Sequence, residues 1–203
     1  MRRTKEEAEK TRHDIIKAAL TLFSQQGYSN TTLAMIAREA GFSRGPIYWH
    51  FQNKEDLYEA VLAYSQEPLD ALVAHAAAGK DLPSQAIHRF ISQWFELLLE
   101  DTWFCQSFEI LLNKTELTEG MASTLSRERQ LTRHIVETLT ELIVEAQNQT
   151  LIPALHSASR LALLLYSSLM GITQSWLFSP SLFSLKDEQV FFVERLMGLL
   201  EQE

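Results

Sequence analysis

Thr31-Thr-Leu-Ala-Met-Ile-Ala-Arg-Glu-Ala-Gly-Phe-Ser-Arg-Gly-Pro-Ile-Tyr-Trp-His-Phe-Gln-Asn-Lys-Glu-Asp-Leu-Tyr58 reads as two short helices around a tight turn, followed by a third helix with a basic start. Leu33, Ile36, Ala37 and Ala40 recur at i, i+3, i+4 and i+7, which puts one apolar stripe on the first helix. Thr31 or Thr32 can cap its start, and Gly41 supplies a left-handed residue at its end. Phe42 is placed to plug the angle between the helices, and Ser43 is placed to accept free N–H groups of the next one. That next helix, about Arg44 to His50, turns Ile47 and Phe51 inward and Arg44, Gly45, Tyr48, Trp49 and His50 outward. The pattern is that of a helix-turn-helix which reads DNA.

The outward chemistry suits a groove. Arg44 can donate to guanine or phosphate, Gly45 allows close backbone approach, and Tyr48 and His50 can donate to phosphate oxygens. Asn53 caps the following helix, whose first residues are Lys54, Glu55 and Asp56, so an ammonium and free backbone N–H groups converge where a phosphate could be anchored. The acids there also read as ordinary complements of the helix dipole. The DNA-contacting set expected from this stretch and its flanks is Thr31, Thr32, Ser43, Arg44, Gly45, Tyr48, Trp49, His50 and Lys54. Pro46 falls in the first turn, where its missing N–H costs no internal helix bond.

Working outward, periodicity is helical almost throughout, and no sheet is expected. The first helix, about Arg3 to Gln26, carries Ile16, Ala19, Leu20 and Phe23 on one stripe and ends at Gly27. A long helix from Lys54 to about Ala78 leaves the head. Helices then follow at about Pro83 to Glu100, Thr102 to Lys114, Thr118 to Gln147, Leu155 to Phe178 and Leu185 to Gln202, the last with a Ser184/Asp187 capping box. The fold expected is all-α, about nine helices, with a DNA-binding domain at 1–53 and a helical ligand-binding and dimerisation domain at 54–203. The 203-residue length accommodates two such domains.

The net charge of −8 argues against a nucleic-acid partner until its distribution is read. Residues 1–60 carry a balance of +1 and residues 61–203 a balance of −9, so the acid belongs to the body. Arg2, Arg3, Lys5, Lys10 and Arg12 form either a basic arm for phosphates or a solvated end interleaved with glutamates. A single cysteine, Cys105, leaves no internal disulfide, and the amino terminus has no apolar core of a signal peptide. The best apolar run, Leu161 to Met170, is short for a membrane span. These features point to the cytoplasm.

The segment from Lys10 to Leu57 resembles the DNA-binding domain of the TetR family of bacterial transcriptional regulators. Ile15, Ala18, Ala19, Phe23, Gly27, Thr31, Thr32, Ile36, Ala37, Gly41, Tyr48, His50, Phe51, Lys54 and Leu57 stand at matching places. The runs Leu22-Phe-Ser-Gln-Gln-Gly27, Arg44-Gly-Pro-Ile-Tyr-Trp-His-Phe51, Phe108-Glu-Ile-Leu-Leu-Asn-Lys114 and Trp176-Leu-Phe-Ser-Pro180 resemble the AcrR-like subgroup, which represses multidrug efflux pumps. Pro46 departs from that pattern, where alanine is usual. The resemblance implies two-fold pairing through the last two helices. Apolar residues there (Leu161, Leu164, Leu165, Leu169, Ile172; Val190, Phe191, Val193, Leu196, Met197, Leu199, Leu200) exceed what a monomer's surface carries, and a lone reading helix spans too few base pairs.

It also implies a small-molecule pocket inside the body. Trp94, Phe104, Phe108, Met170 and Trp176, with Glu109, Gln130, His134 and Gln174 among them, have the apolar-with-polar-fixtures composition of such a site. At helical spacing the same aromatics also read as core. Glu109, between Phe108 and Ile110, is either the anchor of a lipophilic cation or the partner of Lys114 or Arg133. His134 reads as a hydrogen-bonded helix residue and Cys105 as inert. No hydrolase, phosphate-loop or zinc-protease motif is present, and His13, His50, His75, His88, His134 and His156 share no metal-ligand spacing, so neither enzyme activity nor a cofactor is expected. The functional expectation is a ligand-released dimeric repressor on a palindromic operator. The alternative is a body that docks a protein partner instead of an inducer.

Overall fold

The computed structural model describes residues 5–79, 81–116 and 121–201. Among these the chain forms nine helices and no strand: α1 Lys5–Asn30, α2 Leu33–Glu39, α3 Arg44–His50, α4 Lys54–Ala77, α5 Pro83–Glu100, α6 Thr102–Asn113, α7 Ala122–Asn148, α8 Ala158–Phe178 and α9 Leu185–Glu201. The expected helix starts at Arg3 and Thr118 lie outside the described residues, as do Arg2 and Arg3 of the basic end.

The chain packs as two units, Met1–Ser65 with Trp103–Thr124, and Gln66–Thr102 with Leu125–Glu203. The packing break therefore falls inside α4 and brings α6 to the first unit, whereas the sequence placed a boundary at 53/54. The reason lies in the first turns of α4, which bury Leu57, Tyr58, Val61 and Leu62 completely. The Tyr58 ring stands edge-on to Phe23 of α1 at 5.7 Å and meets Tyr28 at 4.8 Å, and its hydroxyl donates to Thr115 Oγ1 at 2.7 Å.

In the first unit α1 breaks at Gly27, where φ is 81° and ψ 164°. The Tyr28 N–H donates to the Lys114 carbonyl at 3.0 Å, and a Cβ on Gly27 would lie 3.2 Å from that same oxygen. Conformation and space both demand glycine here. Gly27→Ala should lower the stability of the chain by about 1–2 kcal/mol, read as a lower urea midpoint at unchanged m-value.

The second unit is built on α5, whose Ala86, Ile87, Phe90, Ile91, Trp94, Phe95 and Leu98 form one buried stripe against α9. Trp94 Nε1 donates to Thr173 Oγ1 of α8 at 3.0 Å, and that hydroxyl donates back to the Leu169 carbonyl at 2.9 Å, so no polar atom of the pair is wasted in the core. The first turn of α9 is capped as expected: the Asp187 N–H donates to Ser184 Oγ at 3.3 Å. α7 ends on Thr150 at φ 58°, with the Leu151 N–H bonded to the Ala146 carbonyl and the Thr150 N–H to Gln147, a left-handed termination that a β-branched residue fits poorly. Thr150→Gly should raise stability by about 0.5–1 kcal/mol, checked by the same urea titration.

One expectation needs correction. α8, 21 residues with mean hydropathy 1.4 over its best window, is long and apolar enough to cross a membrane, because its serines and glycine weigh little against the leucines. Its Leu161, Ala162, Leu165, Leu169 and Leu177 are buried, and it packs on α9, which is how a core helix behaves.

Candidate DNA-reading face and ligand-binding body

The reading face is positioned by a turn fixed by a cap at the start of α2 and a backbone closure at its end. Thr32, not Thr31, caps α2, accepting the Met35 N–H at 3.2 Å. Gly41 ends it at φ 74°, with the Gly41 N–H on Arg38 and the Phe42 N–H on Ala37, a Schellman closure. Ile36, Ala37, Ile47 and Phe51 are buried, and Arg12 of α1 lies over the Phe51 ring at 5.4 Å. This leaves Tyr48 59% and Trp49 72% exposed, beside exposed Ser43, Arg44 and Gly45. His50 is half-buried, its ring edge-on to Trp49 at 4.5 Å.

Ser43 occupies the cap position of α3 with extended backbone but makes no capping bond. The physical cause is Pro46: it stands third in the helix, where a cap serine finds its usual N–H, and proline has none. The expected cap is thus absent, and an exposed hydroxyl remains at the helix start.

Two members of the expected contact set make bonds within the scaffold. Thr31 is fully buried, its hydroxyl donating to the Gly27 carbonyl at 2.8 Å and accepting from Gln26 Nε2 at 3.2 Å, so its side chain cannot face a phosphate. Lys54 Nζ donates to the Tyr28 and Thr31 carbonyls at 2.9 and 3.0 Å and sits 4.0 Å from the Tyr28 ring centroid. Burial pulls its ammonium below the usual lysine range, against the pull of Glu55. Lys54 ties α4 to the end of α1 and the start of α2. Asn53 caps α4 as expected, accepting the Asp56 N–H at 2.8 Å, and Asp56 returns a bond to the Gln52 N–H at 3.0 Å. The acids of that first turn are cap and dipole groups.

The expected ligand residues divide between the units. Phe104 and Phe108 are buried in the first, with ring centroids 5.7 Å apart, and Glu109 Oε1 lies 3.7 Å from Lys114 Nζ. Of the two readings of Glu109, the paired one matches the geometry. In the second unit Trp94 is buried, Met170, Gln174 and Trp176 are half-buried on α8, and Gln130 and His134 are exposed on α7.

Sequence reasoning missed a different polar cluster. Gln66 of α4 is buried and its Nε2 donates to Glu128 Oε1 of α7, while the Tyr166 hydroxyl of α8 lies 3.3 Å from Thr132 Oγ1. Burial pushes the Glu128 carboxyl above the usual range, opposed by the Gln66 bond and Arg127 and assisted by Asp70. Burial likewise raises the Tyr166 hydroxyl, with Glu128 adding to it. Beside this cluster an open groove of ≈ 830 Å³ runs along α7, lined from Leu125 to Glu141 and by Ser159. The signal was hidden because Glu128 sits between Arg127 and Arg129, in what reads as a solvated charge run.

Residues 15–61 match the model of bacterial regulatory proteins of the tetR family, and residues 83–202 that of the MAATS-type transcriptional repressor C-terminal region. The chain is 31% identical over 199 residues to the HTH-type transcriptional regulator AcrR of Shigella flexneri, covering 98% of this chain and 93% of that one. It is 35% identical over 182 residues to the HTH-type transcriptional regulator TtgR of Pseudomonas putida, covering 89% and 86%. The crystal structure of NalD, the secondary repressor of the MexAB-OprM multidrug efflux pump in Pseudomonas aeruginosa, superposes with a TM-score of 0.86 at 27% identity, covering 98% of this chain and 100% of that one. The chain therefore belongs to the TetR family of bacterial DNA-binding transcriptional repressors.

Proposed function

We propose that this protein is a dimeric repressor of a multidrug efflux pump, released from a palindromic operator when a hydrophobic or amphipathic, often cationic, small molecule binds its helical body. The observation that carries the reading is the exposed aromatic and basic face of α3, held by a closed turn and by Lys54. Ser43, Arg44, Gly45, Tyr48, Trp49 and His50 are its contacts, with Thr32 at the start of α2. Thr31 and Lys54 act by positioning. The resemblance to NalD and AcrR supports efflux control, and a DNA target supports a cytoplasmic location.

Leu164, Val190 and Phe191 on α8 and α9, with Phe178 at the end of α8, form the apolar surface assigned to the second copy. Two heads then address half-sites about 34–36 Å apart. α4 spans the boundary between the units, with Pro68 just past it, so a ligand that favours one tilt of α4 changes head spacing; a coupling of about 1–3 kcal/mol suffices. Trp94, Met170, Gln174 and Trp176 are the candidate wall of a ligand site within the second unit, with Gln130 and His134 as its polar candidates.

The test is a fluorescence-anisotropy titration on the DNA flanking the protein's own gene. Arg44→Ala and Tyr48→Phe should each weaken binding about tenfold while the dimer persists on gel filtration. Loss of the dimer in either variant, or equal affinity for a scrambled duplex, contradicts the reading.

A further inference from the structure

Three helix starts in this chain are closed by the same kind of bond. Thr32 Oγ1 accepts the Met35 N–H at 3.2 Å, Asn53 Oδ1 the Asp56 N–H at 2.8 Å and Ser184 Oγ the Asp187 N–H at 3.3 Å, in each case from the third residue of the helix. Ser43 stands in the same position before α3, with extended backbone at φ −72° and ψ 171°, and makes no such bond, because the third residue of α3 is Pro46. Ser157 before α8 also lacks a cap bond, but its hydroxyl lies 3.4 Å from Ser159 Oγ. A cap bond takes a lone pair of the serine and fixes the rotamer that turns its oxygen toward its own helix. Without that bond the Ser43 hydroxyl, exposed beside exposed Arg44 and Gly45, is free to turn toward whatever docks on the reading face. The proline restores stability by another route. It sits in the first turn, where a missing N–H breaks no internal bond, and its fixed φ lowers the entropy of the unfolded chain. Gly45, with open space around its α-carbon, tolerates the restriction that a following proline imposes. The lost cap and the gained rigidity are of similar size, so α3 forgoes the bond and keeps its fold.

We propose that Pro46 is a positioning residue for DNA binding: it withholds the N–H that would hold the Ser43 hydroxyl on α3, and the freed hydroxyl donates to a DNA phosphate. The proposal rests on the DNA-reading function above and deepens it by giving a role to a residue outside the contact set. The contact differs in kind from that of Arg44. A neutral hydroxyl adds affinity without displacing counterions, so it leaves the salt dependence of binding unchanged.

A double-mutant cycle on the full chain tests it, read both as urea midpoint and as affinity for the DNA flanking the protein's own gene. In the wild-type background Ser43→Ala should leave the midpoint unchanged and weaken binding about tenfold, with the salt slope unaltered. Pro46→Ala should leave the midpoint close to that of the wild type, because a restored cap replaces the proline's rigidity, and should weaken binding about fivefold. On the Pro46→Ala background, Ser43→Ala should now lower the midpoint, since it removes a working cap, and should cost about twofold or less in affinity. Ser43→Thr, which keeps the hydroxyl, should recover most of the affinity that alanine loses. An equal affinity cost of Ser43→Ala in the two backgrounds, or a midpoint that Ser43→Ala lowers in the wild type, overturns the role of Pro46 and leaves the DNA reading standing. A wild-type protein that binds a scrambled duplex as tightly as the flanking DNA overturns the DNA reading, and the role of Pro46 with it.

Discussion

Phe191→Glu should divide the dimer and weaken operator binding by about 100-fold or more, because the second head then contributes at its free concentration instead of at an effective one. Phe191 is 53% exposed on α9, next to Val190 at 63%, and neither is needed to fill the core formed by Val193, Leu196 and Leu200. The substitution therefore leaves the folded chain intact while placing a charge in the centre of an apolar contact, where it is desolvated without a partner. Sedimentation velocity should show a folded monomer, with helicity and urea midpoint close to those of the wild type. A dimer that persists in Phe191→Glu would remove α9 from the pairing surface.

The second large effect is expected at Lys54. Its ammonium holds the carbonyls of Tyr28 and Thr31, which lie between Gly27 and the start of α2, and lies on the Tyr28 ring. Lys54→Met keeps the stem but strands both carbonyls, at a cost of about 2–3 kcal/mol, and loosens the placement of α2 and α3 together. A scaffold role and a phosphate contact have different signatures. If Lys54 positions the head, the variant unfolds at lower urea concentration and loses affinity for every duplex; if it contacts phosphate, stability holds and the salt slope of binding falls by about one unit. The geometry predicts the first result.

How far the sequence could be read follows from whether a residue's role is local. The cap at Thr32, the left-handed Gly41, the cap at Asn53 and the Ser184 half of the expected Ser184/Asp187 box depend on neighbours within a few positions, and each is found in the structure. The Ser43 cap failed for an equally local reason, since the proline three residues on removes the N–H it needs. Thr31 and Lys54 matched a phosphate-binding pattern by composition, but their partners are the backbone of α1 and of the loop before α2, which periodicity does not reveal. The body is where distance along the chain hid most. Gln66 meets Glu128 across 62 positions, and Trp94 meets Thr173 across 79. No window on either side of such a pair distinguishes a half-buried carboxylate from an exposed one, so the aromatic-rich segments carry the ligand assignment while Glu128, flanked by Arg127 and Arg129, gives no local sign of its partner.

The most direct measurement is affinity selection of the purified protein on a library of random duplexes, followed by the stoichiometry of the enriched sequence. The account predicts an inverted repeat with half-site centres about one helical turn apart, occupied by two chains or a small multiple of two, with enrichment lost in Arg44→Ala. Enrichment of no sequence, or of an asymmetric site bound by one chain, would contradict it.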